Sequence, residues 1–377
     1  MAATNIRGWF VVFAGVFSSA AMGAVLPEDR ADLLYHSYDG GGVTISGPSI
    51  LVRKEFADKV SVSANYYVDK VTGASIDVQA TASPYVEERT ETGVAMDYLH
   101  DRTMMSVSYT NSTENDYEAN TVSFDISQDF FGDLSTLSFG YSVGDDTVGR
   151  NDDPAFSQDV QRRRYRVSLT QVLTRNWIVA LNAESIVDEG YLNNPYRSVR
   201  YLDSGSYSYQ SERYPRTRNT DALALRSMYY LPYRASVKTE FRTFSGSWGI
   251  QANNASLNYI HPLGEKWILE GKLRYYEQTQ ADFYSDLFPF FDAQNFLARD
   301  KELSTFSSVN YGIGVTYEIQ SPYLSAFNSS TINLFWDHIA FDYENFRNVL
   351  NTDAAPGEEP LYSLDANVLR LFLSFTY

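Results

Sequence analysis

Apolar and polar residues alternate with a period of two along most of the chain. In the last fifteen residues, SLDANVLRLFLSFTY, leucine, phenylalanine and tyrosine take every second position from Leu369 to Tyr377. Arg370, Ser374 and Thr376 lie on the other parity. Because successive side chains of a strand point to opposite faces, one face of this segment suits lipid and the other suits a polar environment. The pattern predicts a β-strand between these two environments.

The same alternation predicts sixteen strands, many of them at least as long as the roughly 9–11 residues of a transmembrane β-strand. An even number of antiparallel strands closes into a barrel that keeps both chain ends on one side of the membrane. The predicted strands cover residues 31–38, 43–55, 60–71, 91–101, 103–111, 119–131, 135–145, 161–173, 177–189, 219–231, 234–246, 248–261, 267–280, 305–319, 330–344 and 365–377.

The predicted connections alternate between short turns and long loops, as in outer-membrane barrels with short periplasmic turns and longer external loops. The turn at 320–329 is longer than expected on the periplasmic side, and the external connection at 246–248 is tight. The short turns cover 57–59, 101–102, 131–133, 173–176, 231–234 and 262–266, and the long segments cover 72–90, 146–160, 190–218, 281–304 and 345–364.

The N-terminus has the order of a secretory signal peptide. Arg7 precedes an apolar run from Gly8 to Phe17, and small residues follow up to a cleavage site near Ala24. We therefore predict a signal peptide over residues 1–24 and a barrel domain over residues 25–377. Beyond the signal peptide, no apolar run approaches the ~18 residues that a membrane helix needs.

Composition agrees with an exported membrane barrel. The chain has no cysteine, so disulfides contribute nothing to its stability. Its 29 tyrosines and 23 phenylalanines accompany a mean hydropathy of −0.31, as expected when only alternate strand residues contact lipid. The net charge of −17 argues against nucleic acid as a partner, since nucleic-acid binding needs a basic surface.

These patterns predict an all-β fold, a transmembrane antiparallel up-and-down β-barrel of about 16 strands with periplasmic termini, in the outer membrane of a Gram-negative bacterium. The alternative is a secreted β-sandwich or propeller, whose strands are typically shorter, about 5–6 residues. The expected partners are outer-membrane lipids and the barrel-insertion machinery. This machinery recognises an aromatic residue at the end of the chain, on the apolar face of the last strand. That predicted insertion signal consists of Leu369, Leu371, Leu373, Phe375 and Tyr377.

Four segments carry a resemblance to a known family: VDKVTGAS (68–75), GYLNNPYR (190–197), ERYPRTRNTDALALR (212–226) and PLGEKWILEGKLRYYEQTQADFY (262–284). They resemble an uncharacterised bacterial outer-membrane family, domain of unknown function 3570. The resemblance covers essentially the whole mature chain and is densest over residues 177–284. It implies a signal peptide followed by an outer-membrane barrel, and it brings no substrate, reaction or catalytic residue.

The candidate functional residues are those whose side chains are expected to point into the barrel. Their charges are unevenly distributed along the chain. Acidic residues dominate the first half of the barrel, whereas basic residues interrupted by glutamates dominate the second half. Two opposed charged walls would create a transverse field that selects solutes. The predicted lumen charges are Asp69, Asp97, Asp125, Asp129, Arg164, Arg166, Glu184, Arg226, Lys238, Glu240, Arg242, Glu270, Lys272, Arg274, Glu318 and Arg370.

The same charges allow a structural interpretation, in which they neutralise one another. The triplets Lys238–Glu240–Arg242 and Glu270–Lys272–Arg274 would then form a salt-bridged filling. About sixteen strands leave an aqueous channel unless a loop folds inside, and the segments 190–218 and 281–304 are the candidates for such a loop. Within the first of these, Tyr196, Arg197, Arg200 and Tyr201 are expected to pack inside the mouth.

The sequence contains no local catalytic motif. It lacks the Gly-x-Ser-x-Gly elbow, the His-Glu-x-x-His helix and the phosphate-binding glycine loop, and its four histidines are His36, His100, His261 and His338. We therefore expect no enzymatic activity, no catalytic residue, no cofactor and no metal site. The acidic clusters 145–146 and 151–153 are expected to be solvated surface, because their spacing does not match an EF-hand.

The leading functional hypothesis is a porin-like passage for small polar or charged solutes. The alternative is a closed structural or assembly barrel that docks a periplasmic or lipoprotein partner without conducting. The long turn at 320–329 favours the alternative.

Overall fold

The chain forms one closed antiparallel barrel of sixteen strands. The computed structural model describes residues 24–73, residue 76 and residues 85–377. Residues 1–23 of the predicted signal peptide lie outside the described residues. The barrel strands are β1 (Arg30–Gly40), β2 (Val43–Phe56), β3 (Val60–Gly73), β4 (Tyr85–His100), β5 (Thr103–Thr113), β6 (Tyr117–Phe130), β7 (Ser135–Val148), β8 (Gln158–Thr174), β9 (Trp177–Gly190), β12 (Thr217–Tyr230), β13 (Ser236–Gly246), β14 (Gln251–Leu263), β15 (Trp267–Gln278), β16 (Phe306–Glu318), β17 (Ser329–Arg347) and β18 (Leu361–Thr376), while β10 (Ser198–Asp203) and β11 (Ser206–Ser211) form a separate hairpin.

Each barrel strand pairs with the next one along the chain, and the first strand pairs with the last. The β1–β18 register runs from Arg30 opposite Thr376 to Gly40 opposite Ala366. This closure leaves no free sheet edge, which is the condition for a β-structure to exist in lipid. The predicted all-β, up-and-down barrel is therefore confirmed.

A belt of large apolar side chains covers the outside of the barrel. Each residue of this belt alternates with an inward neighbour, and many keep about half of their surface exposed, as Leu225, Ile313 and Leu371 do. Soluble proteins rarely expose a continuous apolar surface of this size, whereas a membrane barrel needs one. Leu369, Leu371 and Leu373 of the predicted insertion signal lie on this outward parity of β18. Among the described residues, no helix is long and apolar enough to cross a membrane.

The two ends of the barrel differ in their connections. At one end the turns are short, and the positive φ of Asp58 (54°), Asp101 (52°) and Gly264 (64°) fits tight connections between twisted strands. The exception at this end is 319–328, which contains a short 3-10 turn over Pro322–Leu324. The other end carries the loops 149–157, 191–216, 279–305 and 348–360. The predicted asymmetry between short turns and long loops is therefore present.

Two local predictions were incomplete. β4 begins at Tyr85 and not at residue 91, so inward charges lie on a strand in a segment that the sequence predicts to be a loop. The hairpin of β10 and β11 was not predicted, because its two strands of six residues are short and lie inside one long connection.

Candidate functional site

The predicted lumen charges all lie on the parity opposite the apolar belt, which is the inner face of the barrel. Their distribution along the chain is as expected: the four aspartates belong to β3, β4 and β6, and the basic residues to β8 and later strands. The two predicted charged walls are interrupted, however. The inward Arg53 of β2 lies 3.1 Å from Asp97, and the inward Arg89 of β4 lies 3.6 Å from Asp69. The acidic half therefore contains its own cations.

Several of the ion pairs join strands that are not neighbours in the sheet. Arg242 of β13 lies 2.7 Å from Glu184 of β9, so the pair bridges over β12. Side chains of strands two apart converge only on the concave side of a barrel, which places these contacts in the lumen. Glu184 also lies 3.2 Å from Arg164 of β8, so one carboxylate serves two cations.

The triplets of β13 and β15 lie on either side of β14, and Asn254 of β14 connects them: its amide nitrogen donates a hydrogen bond to Glu240 at 3.3 Å, and its Oδ1 atom accepts one from Arg274. Glu240 of β13 also binds Arg226 of β12. Lys272 of β15 binds Asp337 of β17, with 3.1 Å between its Nζ atom and the carboxylate. Each triplet therefore finds its main partner on a different strand.

Asp337 is the centre of a buried charge cluster of the lumen. Its second oxygen accepts a hydrogen bond from Arg370 of β18 at 2.6 Å, so the carboxylate joins β15 and β18 to β17. Gly312 on β16 makes room for it, since a Cβ atom there would lie 2.5 Å from the Asp337 carboxylate. The sequence pattern does not reveal Asp337 as a lumen residue, because the aromatic residues Phe335 and Trp336 precede it and hide the alternation.

A second buried cluster surrounds His36 of β1. The His36 Nε2 atom lies 2.7 Å from Asp69, and the imidazole ring stacks on Tyr67 with 5.0 Å between the ring centroids. Arg89 completes the group on the other side of Asp69. Since Asp69 is shared between a histidine and an arginine, this cluster fills the lumen wall between β1 and β4.

The long-loop end of the barrel is covered by a cap, which we define as residues 191–216, 279–305 and 348–360. Arg200 of β10 is fully buried, and its guanidinium binds the carboxylates of Asp286 and Glu359. Arg299 also binds Asp286 at 2.9 Å. One arginine thus ties the three cap loops together, in agreement with the expectation that Arg197 and Arg200 pack inside the mouth.

The cap descends onto one wall of the lumen. Ile339 and Phe341 of β17 and Ala366 of β18 are on the inward parity, yet all three are buried. They belong to one apolar cluster with the cap residues Phe283 and Tyr284. An inward side chain in an open channel would be wet, so the cap fills the lumen beside β16–β18 at this height.

Glu212 lies inside the cap, outside the membrane-spanning strands. It accepts hydrogen bonds from the Tyr214 hydroxyl at 2.6 Å and from the Arg299 backbone N–H at 2.7 Å. The pKa of Glu212 is raised to about 7, chiefly by burial and in part by the nearby Asp300, while Arg197 and the hydrogen bonds from Tyr214 and Arg299 oppose this rise. The carboxyl therefore titrates near neutral pH.

One of the predicted acidic surface clusters is not solvated. Asp146 lies on the inward parity of β7 and is buried. Its carboxylate accepts a hydrogen bond from Arg162 Nε at 2.8 Å. The expectation of a solvated surface is therefore wrong for Asp146, because β7 extends to Val148 and carries this residue inside.

Three solved structures illustrate what the fold is similar to. The siderophore receptor PirA from Pseudomonas aeruginosa matches with a TM-score of 0.45 and 11% identity, over 85% of this chain and 60% of that one. The chain thus spans about 60% of the length of that receptor. A bacterial polysaccharide outer membrane secretin matches with a TM-score of 0.49 and 9% identity, over 93% and 100% of the two chains. OmpT of Vibrio cholerae, an outer membrane protein in a loop-deletion form, matches with a TM-score of 0.42 and 9% identity, over 92% and 98%.

Sequence comparison identifies the family. No curated protein matches the chain in sequence. A family model described as "Protein of unknown function (DUF3570)" matches residues 76–329, which is the family that the segments in loops and strands resembled. Because this match covers well over half of the sequence, the chain belongs to the DUF3570 family.

Proposed function

We propose that the protein is an outer-membrane barrel that passes small polar or charged solutes along the lumen wall formed by β6 to β13. One observation carries this proposal. The inward ion pair of Arg166 and Asp125 is half exposed, with 42% and 45% of the side-chain surface accessible. Water reaches these charges inside the barrel, and sixteen strands are enough to enclose an aqueous channel.

The cap makes this passage narrower than the barrel itself. It fills the lumen beside β16–β18 and leaves charges of the opposite wall, such as Arg166 and Asp125, accessible to water. Because Asp125, Glu184 and Glu240 on that wall are paired with arginines, a passing solute meets alternating charge rather than one sign. Such a lining suits small solutes that exchange water for ionic contacts, as in pores that select by rings of charge.

We further propose the route by which the protein reaches the membrane. A signal peptide over residues 1–24 would direct export, and the outward residues of β18 would be read by the barrel-insertion machinery. The continuous apolar belt supports the outer membrane as the destination, since barrels of this kind are found there.

Planar-bilayer recording of the refolded barrel tests the proposal. We expect steady, ion-selective steps of current, and larger steps after Arg200→Met, which removes the cation that ties the cap loops together. A folded barrel that stays silent both with the native cap and with this variant would contradict a solute passage. Folding is checked by the shift in gel mobility on heating.

A second function is favoured by the turn 319–328. Tyr323 in this turn is 97% exposed at the short-turn end of the barrel. An aromatic residue held out on the periplasmic side suits contact with a periplasmic or lipoprotein partner, as aromatic residues are enriched at interface cores. A photo-crosslinking amino acid at position 323 should then give one defined adduct in cells, whereas the same substitution at Arg175 should give none.

A further inference from the structure

Three carboxylates converge at the long-loop end of the barrel, away from the solvated ion pairs and outside the cap. Glu87 lies near the start of β4, and Glu114 and Asp116 lie in the turn between β5 and β6. One oxygen of each carboxylate is within 4.8 Å of one oxygen of the other two. All three residues are buried, so their negative charges are concentrated in a small volume with little water.

Glu87 is the residue that most needs a positive partner. It is 2% exposed and lies on the inward parity of β4, directed at the other two carboxylates. Within the part of the chain that the structure describes, neither of its carboxylate oxygens accepts a hydrogen bond. A buried carboxylate without a donor is strongly unfavourable, and such groups are paired, protonated or bound to metal.

Among the described residues, the cation that forms an ion pair with this cluster is Arg89, and it is already shared. Arg89 Nε lies 3.9 Å from Glu114, too far for a hydrogen bond. The same guanidinium binds Glu91 and lies 3.6 Å from Asp69. The three carboxylates therefore carry more negative charge than this arginine neutralises.

The cluster is also connected to two long loops. The Tyr196 hydroxyl donates a hydrogen bond to Asp116 at 2.5 Å and accepts one from the backbone N–H of Asn151 at 2.8 Å. Tyr196 belongs to the loop 191–216 and Asn151 to the loop 149–157. An ion held by Asp116 would therefore fix two loops to the rim formed by β4, β5 and β6.

We propose that Glu87, Glu114 and Asp116 bind one divalent cation of the calcium class. The donor set consists of carboxylate oxygens from two separate segments, which hard cations prefer over soft ones. Calcium accepts six to eight oxygens in flexible geometry, so water and backbone carbonyls complete its shell. The ion supplies the charge that Arg89 does not, and it orders the rim of the mouth.

Calorimetric titration of the refolded, chelator-treated barrel with CaCl2 is the direct test. We expect one equivalent of Ca2+ to bind, with a Kd of about 10⁻⁴–10⁻³ M, the range of extracellular calcium modules. Glu87→Gln combined with Glu114→Gln should weaken binding at least tenfold. Asp152→Asn combined with Asp153→Asn is the matched control, because it removes two acids from the exposed part of the loop 149–157, and it should leave the affinity unchanged.

Two results would overturn the proposal. One is the absence of calcium binding up to about ten times the expected Kd, which would mean that the three carboxylates share protons instead. The other is native affinity in the Glu87 and Glu114 variant. If that variant does not fold, Asp116→Asn replaces it, and proteolysis in the loop 191–216 gives a second measurement. Calcium should protect this loop in the native barrel and not in Asp116→Asn, and equal protection in both would also contradict the site.

Discussion

Two ion pairs on opposite walls of the same lumen have the same chemistry and different surroundings. Arg166 and Asp125 are 42% and 45% exposed, whereas Lys272 and Asp337 are 18% and 4% exposed. Both pairs join strands that are two apart in the barrel. The difference shows that position in the lumen decides whether an ion pair is buried in the wall or accessible to water.

Aromatic side chains pack around Lys272 and Asp337 on the wall formed by β15 to β18, which we call the buried wall. Phe335 stacks on Phe372 with 5.7 Å between ring centroids, and the Arg370 guanidinium lies 5.4 Å from the Phe335 ring. Water is excluded there, so the ion pairs are strong only while they are complete. On the wall of β6 to β13, solvent screening lowers both the benefit of a pair and the cost of losing it.

The largest expected effect is therefore on the buried wall. Asp337→Asn leaves Lys272 and Arg370 without the carboxylate that they share, and removing one partner of a buried pair costs about 3–5 kcal/mol. Urea unfolding of the refolded barrel in detergent should show this loss. Asp125→Asn is the matched control and should cost less than about 1 kcal/mol, since its pair is half exposed. Equal losses at the two positions would remove the distinction between the walls.

Opening the cap should make the ion pairs of the buried wall more accessible to water, as those on the wall of β6 to β13 already are. Arg200→Met leaves Asp286 and Glu359 in place without their shared arginine, which costs about 2–4 kcal/mol of local stability in the cap. Limited proteolysis should then cut between residues 286 and 299, while the barrel itself stays resistant. Arg213→Met, whose pair with Asp292 is exposed, should leave the cleavage rate unchanged. If the two variants are cut at the same rate, the arginine at position 200 does not hold the cap.

The cap should also loosen as the pH rises. The pKa of Glu212 is raised from 4.5 to about 7, chiefly by burial, so the folded protein binds this proton more tightly than the unfolded chain. The cap is then most stable below about pH 4.5 and loses about 2–3 kcal/mol as the pH rises to 7.

Hydrogen exchange of residues 279–305 between pH 5 and 8, corrected for the intrinsic pH dependence of exchange, measures the opening free energy. Glu212→Gln should flatten its dependence on pH. An unchanged slope in this variant would assign the pH dependence to a group other than Glu212.

The smallest effect on stability, and the one that reports on solutes, is expected on the solvated wall. Arg166→Gln with Arg242→Gln should shift ion selectivity toward cations and cost about 1 kcal/mol or less, because Glu184 keeps Arg164 as a partner. Reversal potentials in a salt gradient measure the shift. Arg175→Gln, in an exposed turn, is the control. Unchanged selectivity in a conducting variant would show that solutes do not pass along this wall.

Period-two alternation was enough to predict the sixteen barrel strands, because one lipid face and one polar face repeat along nearly every strand. The assignment of the lumen charges to the inner face rests on the same parity, and their role in a solute passage stays a prediction. Asp337 was not predicted as a lumen charge, because aromatic residues occupy both faces of β17 near it. Arg89 was not predicted as a lumen charge, because β4 extends into a segment that was predicted to be a loop.

The pairing of the charges could not be predicted in the same way. Arg242 and Glu184 lie on β13 and β9, and their meeting depends on the stagger of the strands and the curvature of the wall. Neither quantity is encoded by alternation within one strand. The cap is a similar case: Arg200 was expected inside the mouth, but its partners Asp286 and Glu359 come from loops far along the chain.

The pairing of β1 with β18 has a consequence for biogenesis. Asp32 accepts a hydrogen bond from Ser374, 342 positions further along the chain. Until both strands are present, the growing sheet has two open edges whose unpaired amides and carbonyls cannot be left in lipid. The edges of β1 and β18 must therefore stay out of lipid, or be covered, until the two strands pair with each other. A chain that lost its final strand would leave β1 and β17 with unpaired edges, and could not form a slightly smaller barrel without re-pairing these two strands.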